Sequence, residues 1–138
     1  MSTPENSFIQ GVHKYVTCYY EKNNNPYRGG TPDVFYSGPS RPLWIEYKFI
    51  VLPKRPDTLI IPDLSPLQLL WLEGRHAEGR AVWVVVGCKQ GAVLLTADLS
   101  LNFIRHGMSA AAFQKRLIAR ASLGRMINEF TGSSLIQN

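Results

Sequence analysis

The segment Ala81-Val82-Trp83-Val84-Val85-Val86 is a nearly continuous apolar run. Such a run suits a strand covered on both faces, in which side chains do not alternate out to water. Ala92 to Leu95 follows across Lys89-Gln90-Gly91 and is placed to pair with it. The 138 residues are 45% hydrophobic and 18% charged, which gives one globular domain enough apolar surface for a core without metal or disulfide staples. Disorder and collagen-like repeats are excluded. Cys18 and Cys88 stand far apart with no companion at metal-ligand spacing, so they read as buried apolar side chains, not as a disulfide framework or a zinc module.

The charge balance, 15 Lys+Arg against 10 Asp+Glu for a net +5, suits a polyanionic partner without requiring one. No apolar stretch approaches the roughly 18 residues of a membrane span, and Met1 to Gln10 lacks a basic region followed by an apolar block. An unprocessed, cytoplasmic protein without membrane association is the expectation.

Thr3-Pro4-Glu5 looks like a helix start, with a capping Thr, Pro in the first turn and an acid near the exposed N–H groups. Phe8, Val12, Tyr15, Val16 and Tyr19 recur at steps of three and four, which predicts one helix running to about Tyr20. Asp33 to Tyr36 and Leu43 to Val51 read as the two strands of a hairpin, joined through Ser37-Gly38-Pro39-Ser40. On the longer strand Ile45, Tyr47 and Phe49 share one face, and Trp44, Glu46 and Lys48 share the other. Leu52 to Leu64, with Pro53, Pro56 and Pro62, is an irregular excursion carrying the apolar patch Leu59-Ile60-Ile61. Ser65-Pro66-Leu67-Gln68 starts a second helix through a capping box, and Leu67, Leu70 and Trp71 continue it to about Glu78. From Ser109 onward, Phe113, Leu117, Ile118, Ala121, Met126 and Ile127 predict one or two helices broken near Gly124. Lys115, Arg116, Arg120 and Arg125 lie on their polar side.

The constellation with the most chemistry is Pro32-Asp33 followed, thirteen positions later, by Glu46 in Ile45-Glu46-Tyr47-Lys48. Residues i and i+2 of a strand share a face, so Glu46 and Lys48 point together. With Asp33 at the start of the partner strand, two carboxylates meet at the hairpin end and form an oxygen-ligand site suited to Mg²⁺ or Mn²⁺. The Tyr47 backbone carbonyl is placed to complete it. A metal there acidifies a water and neutralises charge on a phosphodiester, and Lys48 is placed to stabilise that charge. Taken alone, these residues equally fit a solvated strand face and a turn cap.

Gly29-Gly30-Thr31-Pro32-Asp33-Val34, Trp44-Ile45-Glu46-Tyr47-Lys48, Leu64-Ser65-Pro66-Leu67-Gln68 and Gly79-Arg80-Ala81-Val82-Trp83-Val84-Val85 occur in that order. The pattern resembles the PD-(D/E)xK nuclease superfamily, closest to the virus-type replication-repair nuclease (VRR-NUC) domain, and spans about Glu5 to Val86. The resemblance implies an α/β fold with a restriction-endonuclease-like core, a mixed central sheet flanked by helices. The core would occupy about 5–96, with a C-terminal helical extension over about 97–138. It also implies metal-dependent DNA cleavage, with Asp33 and Glu46 as ligands of Mg²⁺ or Mn²⁺, Lys48 as the catalytic lysine, Gln68 near the scissile phosphate, and Glu5 as a further acid. Small stand-alone members of this kind are associated with branched DNA and Holliday junctions. A two-fold junction needs two active sites, hence a homodimer. A phage or mobile-element origin, and so a bacterial host cytoplasm, would suit such a nuclease.

This chain departs from the family in the sixteen positions between Lys48 and Ser65, whose prolines replace a short glycine-containing link. Lys54 and Arg55 make that excursion a candidate DNA or subunit contact. Tyr27, Arg28, Gly29 and Gly30 are candidates for holding a phosphate beside the acids, and Tyr36 is a candidate for touching substrate. None of His13, His76 and His106 has a second ligand or base at an interpretable spacing in the sequence, and each reads as a surface or partly buried side chain. Trp44, Trp71 and Trp83 read as core. The competing functions are a flap, nick or non-specific DNA nuclease, an RNA-processing nuclease, and a non-catalytic DNA-binding module on the same fold.

Overall fold

In a computed structural model, residues 3–23, 30–96 and 103–133 are described. In chain order the elements are α1 (Pro4–His13), β1 (Tyr19–Lys22), β2 (Val34–Ser37), β3 (Pro42–Phe49), β4 (Leu59–Ile60), α2 (Pro66–Ala77), β5 (Val82–Cys88), β6 (Gly91–Leu95), β7 (Met108–Ser109), α3 (Ala110–Lys115) and α4 (Arg120–Thr131). A five-stranded mixed sheet runs β1-β2-β3-β5-β6, in which only β3 and β5 are parallel. All seven residues of β5 are buried, as the apolar run requires.

Helices cover both faces. Phe8, Ile9 and Val12 of α1 and Leu123 and Ile127 of α4 pack with Val34, Tyr36, Ile45 and Tyr47. On the other face Leu72 of α2 and Phe113 of α3 join Val82, Val84, Val86 and Val93. The predicted hairpin forms with Val34 opposite Ile45 and Ser37 opposite Pro42. Cys18 and Cys88 are free and buried. Among the described residues no helix is long and apolar enough to cross a membrane.

Three expectations give way. The first helix stops at His13, and Tyr19–Lys22 instead forms β1, an edge strand on β2. The reason is distant in sequence: the side chain of Asn128, 5% exposed, accepts from the Thr17 N–H and donates to the Tyr15 carbonyl, both at 2.8 Å. It thus satisfies backbone groups released as the helix ends. In α2, Leu67 and Leu70 are exposed and Leu72 is the buried residue. Gln68 and Leu72, one turn apart, share the face toward the sheet. The C-terminal break falls between Lys115 and Arg120, where Ile118 bridges to Ala92. Gly124 instead lies buried inside α4, where a Cβ would come within 2.6 Å of the Tyr15 Cβ.

The excursion is anchored to the chain's own C-terminal region. β4 pairs with β7, and the first N–H groups of α3, on Ala110 and Ala111, donate to the carbonyls of Thr58 and Pro56 at 2.8 and 3.0 Å. Those donors have no partner within their own helix.

Candidate active site

The site exists because β3 outruns its neighbour. β2 begins at Val34, opposite Ile45, so on that edge β3 continues through Glu46 to Phe49 without a ladder partner among the described residues. Asp33, immediately before β2, fills the gap with a side chain: the Tyr47 N–H donates to its Oδ2 at 2.9 Å. In an extended strand a residue's N–H and C=O point to the same side, so the Tyr47 carbonyl faces the same edge as Asp33. The other edge is held by β5, with Glu46 opposite Val84 and Lys48 opposite Val86.

Glu46 and Lys48 project on the α2 face, as their spacing predicts. Glu46 is 2% exposed. Burial first, and then the neighbouring Asp33 carboxylate, push its pKa up to about 9, against the opposing pull of Lys48. The Lys48 ammonium lies 3.6 Å from Glu46 Oε2. Among the described residues, Glu46 Oε1 is a fully buried polar atom with no hydrogen-bond partner.

Gln68 joins the two. Its Oε1 accepts from the Ser65 N–H at 2.9 Å and from Lys48 Nζ at 3.1 Å, while its Nε2 donates to Glu46 Oε2 at 3.1 Å. Ser65 Oγ in turn accepts from the Gln68 N–H at 3.1 Å, completing the capping box. Capping and site placement are therefore one arrangement: because the cap engages Oε1, the amide must present Nε2 to the acid.

Glu5, in the first turn of α1, is half-buried. Burial and the charge of Asp33 raise its pKa, while Lys48 and Lys22 lower it. Lys22 was not singled out from the sequence. It sits at the end of β1, donates to Asn6 Oδ1 at 3.5 Å, and faces the acids only because that strand exists.

The other candidates separate. Tyr27, Arg28 and Gly29 lie outside the described residues. Gly30 has φ +84°, and a Cβ there would stand 2.3 Å from the Leu67 carbonyl oxygen; its missing side chain admits the first turn of α2, which gives a packing reason for the glycine. Tyr36 is fully buried, with its hydroxyl 2.6 Å from that of Tyr47 and 2.7 Å from His13 Nε2, so the structure contradicts a substrate contact. Lys54 and Arg55 are exposed in the excursion, and Arg55 pairs with Asp57 at 3.6 Å. Trp83 is buried, and Trp44 and Trp71 pack edge to face at 5.2 Å between ring centres.

The donor set fits a hard divalent cation: two carboxylates, a carbonyl on the same edge, and a buried carboxylate oxygen lacking a partner. Among the described residues no three His, Cys, Asp or Glu side chains converge closely enough to hold an ion. Glu5 adds negative charge near Asp33 and Lys48.

No protein-family model and no curated protein sequence matches the chain. Among solved structures it is similar to Hjc, a Holliday junction resolvase from the archaeal hyperthermophile Archaeoglobus fulgidus. The TM-score is 0.51 at 12% identity, over 86% of this chain and 98% of that one. The chain has a restriction-endonuclease-like fold.

Proposed function

We propose that the protein is a metal-dependent DNA endonuclease of the PD-(D/E)xK type, akin to the VRR-NUC domain, that acts on branched DNA. The observation carrying this reading is Gln68 bridging Lys48 Nζ and Glu46 Oε2 beside Asp33, at the open end of β3. A strand face serving only solubility has no need of a buried acid tied to a lysine through a fixed amide.

Asp33, Glu46 and the Tyr47 carbonyl would hold Mg²⁺ or Mn²⁺. Bound there, the ion would supply an acidified water and offset charge on the phosphodiester. Lys48, kept in place by Gln68, presents a fixed cation to the negative charge that grows on the phosphoryl oxygens. Gln68 orients both Lys48 and Glu46. The hydrolysis requires a water to attack phosphorus while the bond to the leaving oxygen breaks, so a donor held at the site without reorganisation is the chain's own main contribution.

Branched DNA, and the Holliday junction in particular, is favoured by the similarity to a resolvase over nearly that whole chain. A junction with two-fold symmetry needs two such sites, which a homodimer supplies. The test sets labelled four-way junction, flap, nicked duplex, continuous duplex and single strand against the protein in Mg²⁺, Mn²⁺ or EDTA, with its mass in solution measured alongside. Metal-dependent paired cuts at the junction by a dimer support the reading. Equal cutting of every substrate removes junction selectivity, and one-chain mass at micromolar concentration removes the dimer.

A further inference from the structure

A second feature lies at the same end of β3, on the opposite face from Lys48. A cavity of about 420 Å³ opens between the first turns of α1, the chain leaving β3 and the β5–β6 turn. Its size is within the roughly 300–1,000 Å³ of small-ligand pockets. A larger cavity, about 670 Å³, sits at the Pro42 end of β3, roughly 20 Å of strand from Lys48 at about 3.3 Å per residue.

The smaller cavity has two kinds of lining. Phe49 and Leu52 provide an apolar wall, with the Phe49 ring supported by Phe8 at 6.1 Å. Lys89 and Arg120 provide positive charge at the rim. Arg120 is held: its guanidinium lies 5.0 Å over the Phe8 ring and donates to the carbonyls of Cys88 and Lys89 at 3.2 and 3.4 Å. Two of its five N–H donors are used in this way, leaving others for a ligand. Gly11 leaves room for this placement, since a Cβ there would come within 3.0 Å of Arg120 Cδ and the arginine stem would have to give by a few tenths of an ångström. Glycine inside a helix costs about 0.5–1 kcal/mol relative to alanine, and here the space it leaves is filled by the stem of a cation facing the cavity.

An aromatic wall with a held guanidinium and an exposed lysine beside it matches a nucleotide, with the base against carbon and the phosphate against positive charge. Phe49 follows Lys48 directly, and Pro4 of the cavity precedes Glu5. A strand crossing the open end of β3 therefore meets both places. We propose that this cavity takes one unstacked nucleotide of the DNA substrate, its base against Phe49 and Leu52 and its phosphate on Lys89 and Arg120. The inference rests on the nuclease reading above and sharpens it: a paired base in continuous duplex cannot enter, whereas an unpaired base at a branch or bulge enters at least cost.

The test is anisotropy binding in EDTA to two labelled DNAs of one sequence, a continuous duplex and the same duplex with a single-nucleotide bulge. The proteins are wild type, Ser7→Trp, which plugs the cavity from an exposed helix position, and Lys89→Ala on the exposed turn. Wild type should prefer the bulge; Ser7→Trp should weaken bulge binding roughly tenfold, the loss of about one base-stacking contribution, and Lys89→Ala should weaken it severalfold through the lost phosphate contact. Duplex binding should change far less. Equal weakening on both DNAs, no weakening on either, or no preference in wild type overturns the proposal. Bulge preference without cleavage in Mg²⁺ defeats the nuclease reading alone, and cleavage with unaltered preference in Ser7→Trp defeats the nucleotide site alone.

Discussion

Gln68 donates through Nε2 to Glu46 Oε2 at 3.1 Å while the cap of its own helix engages the other end of the amide. The position of α2 and the geometry of the acid site are therefore coupled. Gln68→Ala should lose both, with about 1 kcal/mol of stability from the broken cap and on the order of 10–100-fold in cleavage from a lysine and an acid left unoriented. Ser65→Ala should cost similar stability but retain most of the cleavage, since Gln68 still accepts from the Ser65 N–H. Chemical denaturation and single-turnover cleavage of the two variants separate the effects.

Glu46 should make the metal-free protein less stable as pH rises. Its carboxyl ionises near 4.5 when unfolded and near 9 when folded, so the unfolded state binds fewer protons throughout that interval. The stabilisation is complete below about 4.5 and is lost at up to about 1.4 kcal/mol per pH unit above it. Glu46→Gln should therefore raise the melting temperature in EDTA, most at pH 8 and little at pH 5, while abolishing metal-dependent cleavage. An unchanged or lowered melting temperature at pH 8 contradicts the assignment.

His13 acts in the opposite sense. Burial, and then Lys22, lower its pKa from 6.5 to about 4. A folded pKa below the unfolded one gives stability that is present above about pH 6.5 and is lost as pH falls toward 4. Because the ring is only partly buried, the effect should be on the order of 1 kcal/mol. Thermal scans in the Glu46→Gln background isolate it, and His13→Gln should flatten the acid slope.

These pH responses mark how far the sequence can be read. The open end of β3 was legible because period-two alternation put Glu46 with Lys48, and the capping box placed Gln68 at the start of a helix. The apolar run gave the central strand. The end of α1 was not legible, because Asn128, more than a hundred residues away, satisfies the backbone where the helix stops. Lys22 was missed for the same reason, since it reaches Asn6 only after β1 pairs with β2. Leu67 and Leu70 matched a helical stripe, yet that periodicity does not reveal that Gln68 turns the helix toward the sheet.

Metal binding should stabilise the protein through Asp33 and Glu46. A ligand at about 100 times its dissociation constant adds about 2.7 kcal/mol, so Mn²⁺ or Mg²⁺ should raise the wild-type melting temperature by several degrees and release protons as the buried acid ionises. Asp33→Asn and Glu46→Gln should show little of this response. A full response in both variants places the ion elsewhere.

The most direct measurement compares wild type with Lys48→Ala on a labelled four-way junction in Mg²⁺, with junction binding measured in parallel in EDTA. Lys48 is partly exposed at the open end of β3, so the variant should fold and bind. Cleavage near the branch by wild type, reduced by at least about 100-fold in Lys48→Ala with binding retained, is the predicted result. Equal cleavage by both proteins, or none by wild type with Mg²⁺ or Mn²⁺, would contradict the account.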